Sequence, residues 1–257
     1  MPRIVSENRV TSRVTALDIH APEIAGGAEE GQIVLTRFDR DSPWRPKALA
    51  GVDREKGLLT VLSRNESRPG DTEIELSGPF GRSKISDKTG KVLFVAEGLG
   101  IGAVLPFLRE CKEKGCYTMV IAGFSSKNDV FWIQRLNESS DELYVVTDDG
   151  SYGIKGPLRH TLRTVCEQIA DIDRVHAAGS LKLLKATADV TRSFSIPATV
   201  SLASVFEGSD TPPEATGQEK VTPAAIEGVD WERSNDLDAH DIDFDSLARK
   251  LGISMAK

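Results

Sequence analysis

Lys91-Val92-Leu93-Phe94-Val95-Ala96-Glu97-Gly98-Leu99-Gly100-Ile101-Gly102 decides the fold. Its first half is a compact apolar run of strand length, the kind buried on both faces of a sheet. Its second half sets three glycines at alternate positions before a helix-like stretch that reaches Lys114. Glycines let a backbone turn tightly and approach a ligand, and the free N–H groups at a helix start suit a pyrophosphate. Strand, glycine-rich turn and helix in that order open a nucleotide-type α/β domain. Gly98, Gly100 and Gly102 are therefore candidate cofactor-binding residues.

Downstream the alternation continues. Tyr117–Ala122, Leu143–Thr147, Arg174–Ala178 and Pro197–Leu202 read as strands. Asn128–Glu138, Pro157–Ala170 and Leu181–Arg192 read as helices between them. Five such strands with four helices indicate a doubly wound parallel sheet. After the third strand comes Thr147-Asp148-Asp149-Gly150-Ser151-Tyr152-Gly153-Ile154-Lys155-Gly156, at the carboxyl end where open sheets bind ligands. Asp148, Asp149 and Gly150 join the candidate cofactor-binding residues, with a plain Asp/Gly turn as the competing reading.

Upstream the pattern is different. Ile4–Val10, Val14–His20, Gln32–Phe38, Leu58–Ser63 and Thr72–Leu76 are short, β-branched or alternating runs. Gly26-Gly27, Pro43, Gly57, Pro69-Gly70-Asp71 and Gly78-Pro79 separate them as turn signals. This spacing suggests a small antiparallel β-barrel. The expected organisation is a barrel over 1–88, the α/β domain over 89–205, and an acidic arm ending in a short helix over 206–257.

The arm is read from charge. The 257 residues carry 32 basic and 39 acidic side chains, a formal −7. Residues 207–245 hold twelve of the acids and two of the bases, so the rest of the chain is close to neutral. No basic stripe points to nucleic acid. No window of about 18 apolar residues points to membrane insertion, and Met1–Glu7 lacks the apolar core of a signal peptide. A cytoplasmic location is the expectation. Cys111, Cys116 and Cys166 are too few to hold an iron–sulfur cluster by thiolates. Cys111 and Cys116 lie about 140° apart around a helix, so they are not expected to share a face. The four histidines are scattered, and His160, after the Asp-Gly loop, is the one to inspect. Phe131 and Trp132 are expected in the core.

The barrel, the glycine turn and the Thr-Asp-Asp-Gly-Ser-Tyr-Gly-x-Lys-Gly run together resemble the ferredoxin–NADP reductase superfamily. The nearest branch is that of dihydroorotate dehydrogenase electron-transfer subunits and the small subunit of NADH-dependent ferredoxin–NADP oxidoreductase. Ser77-Gly78-Pro79-Phe80-Gly81 resembles that branch's Gly-Pro-Leu-Gly turn, and the likeness spans about residues 2–205. It implies a flavin barrel, a nicotinamide-nucleotide domain and protein partners carrying iron–sulfur or flavin groups. It also implies hydride uptake by FAD and one-electron delivery through a cluster.

The sequence departs from that plan at each redox step. No cysteine follows Cys166, where the family places four cluster ligands. The flavin motif, Arg-x-(Tyr or apolar)-(Ser or Thr) in the family, is here Arg45-Pro46-Lys47-Ala48. The resemblance makes Arg45 the diphosphate ligand, with Arg64 and Arg68 as alternatives. Ala48 cannot donate a hydrogen bond, and Ser63–Pro69 stands where relatives have a phosphate-cradling helix start. Ala178-Gly179-Ser180 replaces an x-Gly-Pro triplet, and Ser125, Ser126 and Lys127 fall where relatives meet the adenosine ribose. The resulting expectation is a subunit of an electron-transfer oxidoreductase complex, its own flavin site eroded, acting as scaffold or docking piece. The alternatives are an active FAD subunit fed by NAD(P)H and an NAD(P)H-sensing regulatory subunit.

Overall fold

Alternating apolar residues build the first sheet: Leu17 and Ile19 on one strand and Leu59 and Val61 on its neighbour are buried. The computed structural model describes residues 1–39, 42, 44–64, 72–81, 90–207, 237–251 and 254–255. In this first part the elements are β1 (Arg3–Arg9), β2 (Val14–His20), the short helix α1 (Pro22–Ala25) and β3 (Ile33–Arg37). They continue with β4 (Arg45–Asp53), β5 (Leu58–Arg64), β6 (Thr72–Glu73) and β7 (Glu75–Phe80). The strands pair antiparallel in the order β6-β1-β2-β5-β4-β3-β7. Because β6 and β7 are parts of one run broken at Ile74, that run reaches both edges and curls the sheet into a half-barrel.

One reading is corrected here, and one strand is added. Gly78-Pro79 is not a turn but lies inside β7, at the sheet edge, where a strand tolerates proline. The stretch 45–53 is a full strand, β4, although Pro46 and Gly51 dilute its signal.

The second part contains β8 (Lys91–Glu97), α2 (Gly100–Glu113), β9 (Tyr117–Phe124) and α3 (Ile133–Glu138). It continues with β10 (Glu142–Thr147), β11 (Ile154–Lys155), α4 (Leu158–Gln168), β12 (Ile172–Ala178), α5 (Leu181–Ser193) and β13 (Ala198–Ser201). With a last strand, β14 (Leu237–Asp238), the sheet order is β11-β10-β9-β8-β12-β13-β14, parallel throughout except β14. Its direction of winding reverses between β8 and β12, which makes the crevice at their carboxyl ends the switch point. The helix expected over Asn128–Glu138 is shorter. Residues 127–129 form a 3₁₀ turn, and Trp132 enters the left-handed region (φ 53°) before α3 begins. Phe131 is buried, whereas Trp132 is half-buried and carries Arg135 on its ring.

After β13 come α6 (Ala203–Glu207), β14 (Leu237–Asp238) and α7 (Phe244–Lys250). β14 pairs antiparallel with β13 and covers that edge of the sheet. The Asp243 carboxylate caps α7 by accepting the Ser246 N–H at 2.9 Å. Lys185 meets Asp245 at 2.6 Å, and His240 Nε2 lies 3.0 Å from Thr191 Oγ1, tying this piece to α5. The stretch 208–236, with most of the expected acidic arm, lies outside the described residues.

The cores do not stop at residue 89. Val14 and Leu62 of the barrel pack with α2 and one face of the parallel sheet. Ile33, Leu35 and Trp44 pack with the other face, α6 and α7. The two parts thus share apolar interfaces.

The cysteines also need correcting. α2 ends in a Schellman motif: Cys116 N–H reaches Cys111 O at 2.9 Å, Gly115 N–H reaches Lys112 O at 3.0 Å, and Gly115 sits at φ 81°. That motif brings side chains at its third-last and second-following positions together, so Cys111 and Cys116 are partners. Burial first, and Cys116 second, push the Cys111 thiol up to about 12; burial pushes Cys166 up to about 11. Thiolate is the reactive form. Native protein should therefore leave all three cysteines unlabelled by a disulfide reagent at pH 8, and denatured protein should release three. Rapid labelling of the native chain would contradict this packing.

Candidate functional site

A cleft of about 630 Å³ opens at the carboxyl ends of β8, β9, β10 and β12, facing the β1–β2 hairpin and the end of β5. Its wall includes the starts of α4 and α5 and residues Ser204 and Val205 of α6. Ser204 donates to Gly179 O at 3.1 Å, fixing α6 against the α5 turn. Four cations, Arg13, Arg64, Arg159 and Lys182, line it against Glu97, Asp129 and Asp148.

The three glycines of the turn divide by role. Gly98 adopts φ 53° and faces the cleft; a Cβ there would meet only the Arg64 guanidinium, at 3.7 Å. At Gly100 a Cβ would come 2.1 Å from Ala178 O, and at Gly102 2.9 Å from Leu62 Cδ1. Gly100 therefore serves the contact of α2 with β12, and Gly102 its contact with the barrel. Neither lines the cleft.

The Asp-Asp-Gly loop divides likewise. Asp148 lines the cleft, and its carboxyl is raised by burial first and the Asp149 charge second. Asp149 instead accepts Ser151 N–H at 2.9 Å and Ser151 Oγ–H at 2.6 Å, which lowers its carboxyl. Gly150 (φ 76°) completes that turn and, with Asp149, is absent from the lining. These two form a turn closed by Ser151, and His160 is exposed on α4. Arg45 is half-buried on β4, away from the cleft lining, while Arg64 is part of it; Arg68 lies outside the described residues.

Two features escaped the sequence. Glu97, at the end of β8, accepts the Ser180 N–H at 3.0 Å, and Ser180 is the cap of α5. Lys47 on β4 is 1% exposed, and its Nζ donates to Ser63 Oγ at 2.8 Å. α6 packs against the same strand. The partners are 83 and 16 residues apart, so only the fold brings them together. Among the described residues no three His, Cys, Asp or Glu side chains form a metal-holding group.

An antiparallel half-barrel followed by a parallel sheet of this order, with a cleft at its switch point, defines the class of flavin- and nicotinamide-type reductase folds. The sequence comparisons narrow it. The chain is 31% identical over 219 residues to the "uncharacterized protein in adh 3'region" of Clostridium beijerinckii, covering 79% of this chain and 74% of that one. It is 25% identical over 260 residues to the dihydroorotate dehydrogenase B (NAD(+)) electron transfer subunit homolog of Thermotoga maritima, covering 96% and 89%. It is 26% identical over 198 residues to the electron transfer subunit of Geobacillus thermodenitrificans, covering 71% and 75%. Among solved structures, one of NADH-dependent reduced ferredoxin–NADP oxidoreductase matches with TM-score 0.78 at 24% identity, over 98% of this chain and 93% of that one. No family model matches the sequence. The chain is thus similar in sequence to dihydroorotate dehydrogenase electron-transfer subunits and shares the fold of ferredoxin–NADP reductase-like proteins. Its homologues are subunits of multi-subunit oxidoreductases.

Proposed function

We propose that this chain is a docking and structural subunit of a multi-subunit electron-transfer oxidoreductase, built on a reductase fold but holding no flavin of its own. The observation that carries this reading is β4. Where relatives pack a side chain on the flavin ring, Lys47 is buried with its ammonium on Ser63, and the next residue, Ala48, has no hydroxyl. The pair thus offers a cation and a methyl where the family's motif offers an aromatic or apolar side chain and a hydroxyl. α6 occupies the flank of the same strand. These residues do not fit an isoalloxazine. A hydride carries two electrons, and splitting them into singles is cofactor work. The chain's contribution is then to hold partners in register.

The test is cofactor content. The chain purified with its partners, then separated, is expected to be colourless and to release no flavin on acid denaturation. One flavin per chain, bleached by NADH, would make it an active reductase subunit instead.

The cleft supports a second reading that is compatible with the first, a nucleotide-binding subunit without turnover. Gly98, Arg64 and Arg159 fit a diphosphate, which these cations would hold and orient.

A further inference from the structure

We propose that Glu97 makes the cleft a site for a nucleoside diphosphate rather than for a hydride-donating dinucleotide. The inference rests on the nucleotide reading of the cleft. The switch-point crevice lies between β8 and β12, and a dinucleotide must cross it. Here the crevice is filled from within. Glu97 Oε1 takes the Ser180 N–H at 3.0 Å, at the start of the thirteen-residue α5. The Glu97 stem lies against Gly179 so closely that a Cβ on that glycine would come 2.7 Å from Glu97 Cγ. The carboxylate thus holds the donor that the far half of a dinucleotide would use, and its stem takes the space.

The β9 side of the cleft is lined differently. Phe124 and Phe131 meet edge to face at 5.7 Å and line it, a surface on which a base can rest. Asp129, which accepts Ser126 Oγ–H at 2.9 Å and lies 3.9 Å from Arg13, follows the second strand of the domain, where an acidic residue accepts ribose hydroxyls in dinucleotide folds. Arg64, over Gly98, and Arg159, at the start of α4, then face two phosphates. Base, ribose and diphosphate are accommodated; a second nucleoside is not.

Calorimetric titration of the full chain with ADP and with NADH tests this. ADP and NADH should bind the wild type within fivefold of each other. Glu97→Ala should strengthen NADH binding by more than fivefold and leave ADP within twofold. Glu97→Gln, which keeps an acceptor for the Ser180 N–H, should behave as the wild type. NADH binding more than fivefold tighter than ADP, no ADP binding, or an alanine variant without the selective gain would each overturn the assignment. These outcomes are independent of flavin content, so failure here leaves the docking reading to its own test.

Discussion

Gly100→Ala is expected to lower the melting temperature by roughly 10 °C or to prevent folding. A methyl group at that position would lie 2.1 Å from the carbonyl oxygen of Ala178 and 2.4 Å from its carbon. Backbone cannot swing aside as a flexible side chain can, so α2 would have to lift from β12. The resulting loss of packing is about 3 kcal/mol or more, and each kcal/mol is worth about 2–4 °C in a chain of this size. Gly98→Ala is the control. Its methyl would meet nothing nearer than the Arg64 guanidinium at 3.7 Å, and the cost is the left-handed backbone, about 1 kcal/mol. Thermal melts of the two variants should separate clearly. Equal melting would mean that α2 stands farther from β12 than described.

The second large effect is acid lability arising from His176. This side chain on β12 is 0% exposed, bonded through Nδ1 to Thr199 Oγ1 at 2.8 Å and set edge-on against Phe94 and Phe107. Its Nε2 has no hydrogen-bond partner among the described residues. Burial first, and the Arg174 charge second, lower its pKa to about 3. An unfolded histidine titrates near 6.5, so the unfolded chain gains a proton before the folded one. The histidine's contribution to stability is complete above about pH 6.5 and is lost as pH falls toward 3. Between pH 7 and pH 4 the loss is about 3 kcal/mol. His176→Leu should remove that part of the decline in urea unfolding measured across this range. The carboxylates' contribution should persist in both proteins. A parallel decline in wild type and variant would show that His176 takes up its proton in the folded state.

The parallel sheet was legible because β8, β9, β10 and β12 are apolar runs with helical periods between them, and burial on both faces leaves that mark. The barrel was legible in its alternating strands and much less so at β4. Pro46, Lys47 and Gly51 are poor strand signals, and Lys47 is buried with its Nζ on Ser63 Oγ. Trp132 broke an expected helix through a backbone angle that no periodicity records. The cysteine pair was misjudged because a helical wheel was extended past Lys114, although Gly115 marks the stop. Of the residues singled out from local sequence, Gly98 and Asp148 line the cleft. Gly100 and Gly102 share the same motif but have packing roles, and only neighbours from β12 and β5 distinguish them. The Glu97–Ser180 contact could not be read at all. A glutamate ending a strand and a serine opening a helix are ordinary residues until the topology sets the two ends side by side.

The closing segment has a consequence for how the protein comes apart. β14 and α7 return to β13 and α5, while α6 stays fastened to the barrel. A protease cut anywhere in 208–236 therefore severs the covalent chain between two anchored feet. The released piece would remain seated through its strand pairing, the Lys185–Asp245 ion pair and the His240–Thr191 contact. A nicked molecule would migrate as two bands under denaturing conditions and as one particle under native ones.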